Sequence, residues 1–273
     1  MMPSSQTTES QQIEELLARS AVYRALAVLL RHPEAGLEAW VAAREHRRLL
    51  EVLERLHSDE RLLETARRLA ASLERADMPE LTRRHERTFG YAVQGSSPSY
   101  ELEYGEEHSH RQPQELGDLA AFYTAFGLQR AGGSHERVDH IAVECEFLYF
   151  LLYKEACAVD EGLHDGAQVC GEAARRFLAD HLGRWAPAFA LRLMRACAGD
   201  LLTATGELLL GWMMQECACV DVPLGSSDLP LRSPKEQDVG CAACLPAEAT
   251  SGCSGAAQAG TLAPGAGANG PTT

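Results

Sequence analysis

The chain has 273 residues, 45% of them hydrophobic, which suits one large domain or two small ones with ample core. Its formal net charge of −14 speaks against nucleic acid as a partner, because phosphate binding needs a basic footprint. The charge suits a basic peptide or protein surface, or serves solubility alone.

The N-terminus, "MMPSSQTTESQQIEEL", is polar and acidic and lacks the basic and apolar regions of a secretory signal. The longest apolar runs, "LLLGWMM" and "FLYFLLY", fall far below the roughly 20 residues needed to cross a bilayer. A cytoplasmic protein without stable membrane association is expected. Helical spacing begins with Ile13, Leu16, Leu17, Ser20, Ala27 and Leu30, and "RHPEAG" ends that helix at Pro33. Trp40, Leu49, Leu50, Leu53 and Leu56 mark a second helix. Leu62, Leu63, Ala66, Leu69, Ala70 and Leu73 mark a third, stopping near Pro79. "ELTRRHERTFG" is a short fourth. The stretch "YAVQGSSPSYELEYGEEHSHRQP" then reads as a long loop, and long loops in compact proteins are often functional.

Helices resume with "ELGDLAAFYTAFGL", closed by Gly127, followed by "ERVDHIAVECEFLYFLLYKEACA", the most apolar and the expected centre. "AQVCGEAARRFLADHL", "WAPAFALRLMRACA" and "DLLTATGELLLGWMMQECA" complete the set. No segment alternates with period two long enough to argue for a sheet. An all-α fold of nine to ten helices is expected over residues 1–220. Residues 221–273 are rich in Pro, Ser, Gly and Ala. From Gly240 onward Gly and Ala make up half of the residues. A tail that cannot bury enough apolar surface to offset its ordering entropy is expected there.

The stretch "SHERVDHIAVECEF" at 134–147 first suggests a metal site. A zinc-protease helix needs His at i and i+4, about 40° apart around the axis. Here the second His is at i+5, which puts His140 about 140° from His135 on one regular helix. The two rings cannot share an ion that way, and the helix is expected to start near Glu136. What remains is an acid pair, Asp139 and Glu144, beside an apolar face of Ile141, Phe147, Leu148, Leu151 and Leu152. The structural alternative makes Asp139 a first-turn acid favoured by the helix dipole, Glu144 a solvated side chain and His140 a satisfied core histidine.

The same stretch resembles the signature of the TorD/DmsD/NarJ family of redox-enzyme maturation chaperones: Glu-Arg-Pro-Asp-His, an apolar residue, two free positions, then Glu-Leu-x-Phe. Glu136, Arg137, Asp139, His140, Ile141, Glu144 and Phe147 match, while Val138 stands for the proline and Cys145 for the leucine. "YRALAVLLRHP", "RRHERTFG", "PSYELEYG" and "ELGDLAAFYTAFGL" follow in the family's order, so the resemblance spans roughly residues 12–215. "YELEYG" with "DHIAVECEFLYFLLYKEA" looks most like the branch serving type II DMSO-reductase-like enzymes, such as chlorate, selenate, dimethylsulfide and ethylbenzene oxidoreductases.

The resemblance implies an all-helical, non-enzymatic chaperone. It would bind the catalytic molybdenum subunit in the cytoplasm, hold it for cofactor insertion, restrain premature export and bind its twin-arginine leader. It would be absent from the mature enzyme, carry no cofactor of its own and be a monomer or weak dimer. A groove with carboxylates beside apolar helix faces suits an Arg-rich head and an apolar stretch. Asp139 and Glu144 are the candidates for the arginines, with Glu101 adding charge from the loop. Tyr100, Tyr104 and Phe147 are candidates for apolar or cation–π contacts. His140 would orient Asp139 or bond peptide backbone, and Glu136 and Arg137 complete the set.

Other signals are weaker. Glu161-x-x-His164 and the His164-Asp165 pair lie in a Gly-rich stretch that reads as a loop, and "HSH" at 108–110 offers only two imidazoles. Cys145, Cys157, Cys170, Cys197 and Cys217 fall in helix-like segments as small apolar groups. Cys217, Cys219, Cys241 and Cys244 offer four thiolates for zinc, with 21 residues between the pairs. The rival readings are a helical scaffold for a folded partner and a helical metallohydrolase.

Overall fold

The computed structural model describes residues 5–89, 97–105, 112–128, 136–197 and 201–232. These described residues belong to one compact unit. Among the described residues there are ten α-helices and no strand: α1 (Ser5–Leu30), α2 (Leu37–Ala42), α3 (Glu45–Arg55), α4 (Glu60–Glu74), α5 (Met78–Phe89), α6 (Gln112–Ala125), α7 (Ile141–Asp160), α8 (His164–Phe177), α9 (Gly183–Ala196) and α10 (Leu201–Cys219). The fold is all-α, as the spacing predicts.

The longest helix, α1, packs along α7, and α10 packs on α9 and α4. α7 is apolar on nearly every side and buries Ile141, Phe147, Leu148, Leu151 and Leu152, the pattern of a helix covered all round. α4 is amphipathic. Asp59 caps it, its carboxylate accepting from the Leu62 amide at 2.8 Å, and Leu62, Ala66, Leu69 and Leu73 face the core. Each buried leucine there stabilises the fold by about 2 kcal/mol. Tyr23 of α1 meets Trp212 of α10 edge to face at 5.7 Å. Close by, Arg19 grips the buried Glu216, with its shortest contact at 2.7 Å.

Several boundaries differ from those expected. The second helix is two, broken at Arg44, whose φ of 59° is left-handed. Trp40 and Leu49 are nine residues apart, which puts them on opposite sides of one straight helix. The break turns both into the core. Pro79 opens α5 rather than stopping α4, since the first helical turn needs no proline N–H. "EGLHD" is a junction between helices. Gly162, at φ 69°, closes α7 while the Leu163 amide reaches the Ala158 carbonyl at 2.7 Å, a Schellman cap. His164 then opens α8. α8 and α9 are joined without a loop by a π-helical turn over Leu178–Leu182.

Residues 221–232, expected as part of the tail, lie on the helical unit. Val222 is buried, and the Gly225 amide donates to the Gly183 carbonyl at 3.0 Å. The sequence specifies that contact twice. Pro187 has no N–H with which to reach the carbonyl four residues back, so Gly183 is left with a free acceptor. Gly225 brings its backbone against α9, where a Cβ would come within 2.0 Å of the Arg184 carbonyl oxygen.

Candidate functional site

The stretch that carries the family-like signature is a junction between the start of α7 and the loop 97–105. α7 starts at Ile141 rather than near Glu136, because His140 is its cap. His140 Nδ1 accepts from the Ala142 amide at 3.1 Å, so its proton lies on Nε2, 3.5 Å from a Glu136 oxygen. Burial, before any neighbouring charge, pushes the His140 pKa down to about 3. Asp139 is therefore ahead of the helix and not in its first turn. The loop is sewn to this junction by backbone bonds: Ile141 donates to Ser99 at 2.8 Å and Glu101 to Asp139 at 2.9 Å. His135 and the "HSH" pair lie outside the described residues.

Three carboxyl groups meet here, all buried. Asp139 is held bidentately by Arg137, Nε to Oδ1 at 2.9 Å and a terminal nitrogen to Oδ2 at 2.8 Å, and it accepts from the Leu102 amide at 3.3 Å. Burial raises its pKa and Arg137 opposes the rise. Glu101 accepts from Arg184 at 2.5 Å and lies 3.1 Å from His181 Nδ1. Burial works against its ionisation, and the His181 and Arg184 contacts outweigh it and leave the pKa lowered. Glu144 accepts from the Trp185 indole at 3.1 Å, and its Oε1 has no hydrogen-bond partner. Burial, reinforced by Glu101, drives the Glu144 pKa well up, which favours its neutral form. It is not a solvated side chain.

The aromatic candidates divide. Tyr104 and Phe147 are core residues, 0% and 2% exposed. Tyr104 donates to the Pro98 carbonyl at 2.8 Å and packs 5.1 Å from Trp185, while Phe147 nests among Tyr123, Phe122, Phe126 and Phe177. Tyr100 is half-exposed, with the Arg137 guanidinium 4.5 Å above its ring. The solvent-facing rim thus consists of Tyr100, Glu103, Glu136, Arg137 and Arg184, behind which the carboxylates are already bonded.

The segment 221–232 covers one flank of the loop. Arg232 donates its amide to the Glu103 carbonyl at 2.8 Å, and the Gly105 amide donates to Pro230 at 2.9 Å. The Arg232 guanidinium reaches Glu115 of α6 and the Tyr104 carbonyl, each at 3.2 Å. His181, Arg184, Trp185 and Arg232 belong to no motif read in the sequence, and Glu115 opens the family-like stretch "ELGDLAAFYTAFGL" without having been singled out. The available signal was a basic pair, His181 and Arg184, three residues apart in a helical run.

Among the described residues no group of three or more His, Cys, Asp or Glu is placed to hold a metal. Cys145, Cys170, Cys197 and Cys217 are buried, Cys157 is half-buried and Cys219 is exposed, none of them in a disulfide. Cys241 and Cys244 lie outside the described residues. No helix among the described residues is long and apolar enough to cross a membrane.

A family model, nitrate reductase delta subunit, matches residues 55–191. The chain belongs to that family. A perchlorate reductase assembly chaperone protein of Dechloromonas aromatica is 30% identical over 186 residues, 65% of this chain and 78% of the relative. A selenate reductase assembly chaperone protein of Thauera selenatis is 40% identical over 78 residues, 29% of this chain and 39% of the relative. A chlorate reductase assembly chaperone protein of Ideonella dechloratans is 37% identical over 78 residues, with the same shares. The chain thus matches about two fifths of the length of the selenate and chlorate relatives. These relatives carry the names of assembly proteins rather than enzymes, and the resemblance read from Glu136 to Phe147 points to the same family. Within this delta-subunit member the matched stretch holds the α7 junction, the loop 97–105 and the π-turn, while segment 221–232 lies beyond it.

Proposed function

We propose that this chain is an assembly chaperone for the catalytic molybdenum subunit of a DMSO-reductase-family oxidoreductase of the type II branch. It holds that subunit in the cytoplasm for cofactor insertion, engages its twin-arginine leader before export, and stays out of the mature enzyme. The observation that carries the reading is family membership together with relatives named for the assembly of selenate, chlorate and perchlorate reductases. The site agrees in character, since its buried carboxyls are engaged in internal bonds rather than arrayed around an open reaction centre.

The burial of Asp139, Glu144, Tyr104 and Phe147 favours a second reading of the same corner. In it they shape a surface for the folded subunit, and leader contact falls to the rim of Tyr100, Glu103 and Glu136. A pull-down from the native host under molybdate-replete conditions, with partners identified by mass, tests the proposal. Recovery of a molybdenum-binding large subunit is expected, and recovery of none overturns it. Comparing a full-length with a leaderless subunit separates the two readings. Equal capture of both assigns the corner to the folded subunit alone.

A further inference from the structure

The two ion pairs of the corner share one design. In each the carboxylate is buried and the arginine faces solvent. Asp139 is 0% exposed under Arg137 at 35%, and Glu101 is 3% exposed under Arg184 at 38%. A buried carboxylate stripped of its partner is costly. A carboxylate that trades one guanidinium for another loses neither charge balance nor hydrogen bonds, because the planar donor fork is the same. The solvent-side arginines are therefore the exchangeable members, and the acids beneath them lie side by side, joined by the Glu101 amide to Asp139 carbonyl bond at 2.9 Å.

Segment 221–232 runs beside this pair. It is a thin layer: Pro223, Leu224, Ser226, Asp228 and Pro230 are exposed. It is held at Gly225 on the Gly183 carbonyl, at Leu229 by Arg192 at 3.2 Å, and at Pro230 and Arg232 on the loop. Arg184 and Arg232 both close on Gly105, each with a guanidinium nitrogen 3.8 Å from where its Cβ would stand. Leu229 and Leu231 pack against the core, while the rest of the segment is held by backbone bonds beneath exposed residues, and such a segment opens locally at lower cost than the helices under it.

We propose that residues 225–232 are a clasp over a guanidinium-exchange site, in which Arg137 and Arg184 are placeholders on Asp139 and Glu101 for paired arginines of a client peptide. Lifting the clasp frees Arg184 to leave Glu101. An incoming Arg-Arg pair then occupies both carboxylates, and the displaced side chains turn to solvent. The clasp thereby sets affinity, since a ligand that binds only the open state is weakened by the fraction of chains that are closed. This inference rests on the leader-binding part of the proposed function and adds its regulation.

The test uses the full chain and a fluorescent peptide bearing an Arg-Arg head and an apolar stretch, followed by anisotropy. Gly225→Ala lifts the clasp from α9, and Glu115→Ala removes the carboxylate that anchors Arg232 without touching the covered pair. Both are expected to tighten binding, by about tenfold if the open state is a minor one. Glu101→Gln is expected to abolish it, and a Lys-Lys peptide to bind more weakly than Arg-Arg. In hydrogen exchange the Gly105 and Arg232 amides, which bond across the clasp, are expected to lose protection when peptide is added. Peptide binding by the wild type with unchanged affinity in both clasp variants and with those amides still protected overturns the clasp while leaving leader recognition standing. No binding by the wild type or any variant removes leader recognition and the clasp together.

Discussion

Glutamates and arginines meet in two quite different ways in this molecule. On α5, Glu80 is ringed by Arg83, Arg84 and Arg87, the closest at 2.9 Å. At the α7 junction Glu101, Asp139 and Glu144 share Arg137, Arg184, His181 and Trp185. The exposed cluster lies within one helix and has the larger downward shift, with hydrogen bonds from Arg84 and Arg83 bringing Glu80 to about 2. Solvent screens such pairs, and they contribute little to stability. In the buried corner desolvation dominates. It pushes Asp139 and Glu144 up, and only Glu101, with two basic partners, ends below its ordinary value. Burial, and not the number of partners, decides which group is structural.

The largest test of that contrast is Asp139→Ala. It strands Arg137 and the Leu102 amide, and a loss of about 3 kcal/mol is expected from urea unfolding, at the low end for a broken buried pair because Arg137 keeps partial contact with water. A loss no larger than that of a surface substitution would erase the distinction between the two regions.

The pH dependence is next, and its two contributions have opposite signs. Glu144 keeps its proton in the folded state above its unfolded value of about 4.5, so its share of stability falls as pH rises. His140 is neutral when folded down to about 3, so its share is present above about 6.5 and is lost as pH falls toward 3. Glu144→Gln keeps an acceptor for the Trp185 indole and removes the ionisation. Relative to wild type it is expected to gain stability progressively as pH rises above about 4.5. Parallel pH profiles for the two proteins would show that Glu144 is ionised in the native state.

Smaller still is a backbone test on an exposed position. His57 ends α3 at φ 52°, with the Ser58 amide on the Leu53 carbonyl at 3.0 Å, the place where glycine fits without strain. His57→Gly is expected to raise stability by roughly 0.5–1 kcal/mol in thermal or urea melts; a decrease would mean that the His57 side chain contributes more than its backbone strain costs. Smallest of all is Glu80→Ala, for which no measurable change in the unfolding midpoint is expected despite its three arginines.

The helices were legible because α1, α4, α7 and α10 repeat their leucines at helical spacing. The corner was legible as a place, through Glu136–Phe147 and the loop around Tyr100, but not as an arrangement. Asp139 was read as an acid awaiting a guanidinium, yet its partner is two residues away in the same motif. Glu101 finds His181 and Arg184 at separations of 80 and 83 residues, and no local pattern announces such pairings. The break at Arg44 and the cap at His140 were missed for another reason: neither residue is a usual terminator, and tertiary burial of Trp40, Leu49 and Ile141 overrode local preference. The placement of residues 221–232 was hidden in two features far apart in the chain, a proline at 187 that leaves a carbonyl free and a glycine at 225 that reaches it.

That last pairing has a consequence for how the molecule is made. The loop 97–105 is finished by a residue 128 positions downstream, Arg232 on Tyr104. Contacts so distant in sequence form late, after the chain between them has collapsed. A growing chain therefore has its helical body before its acidic corner. The corner becomes complete only when the last of α10 and the stretch beyond it have been synthesised, which makes it a marker of a finished helical unit.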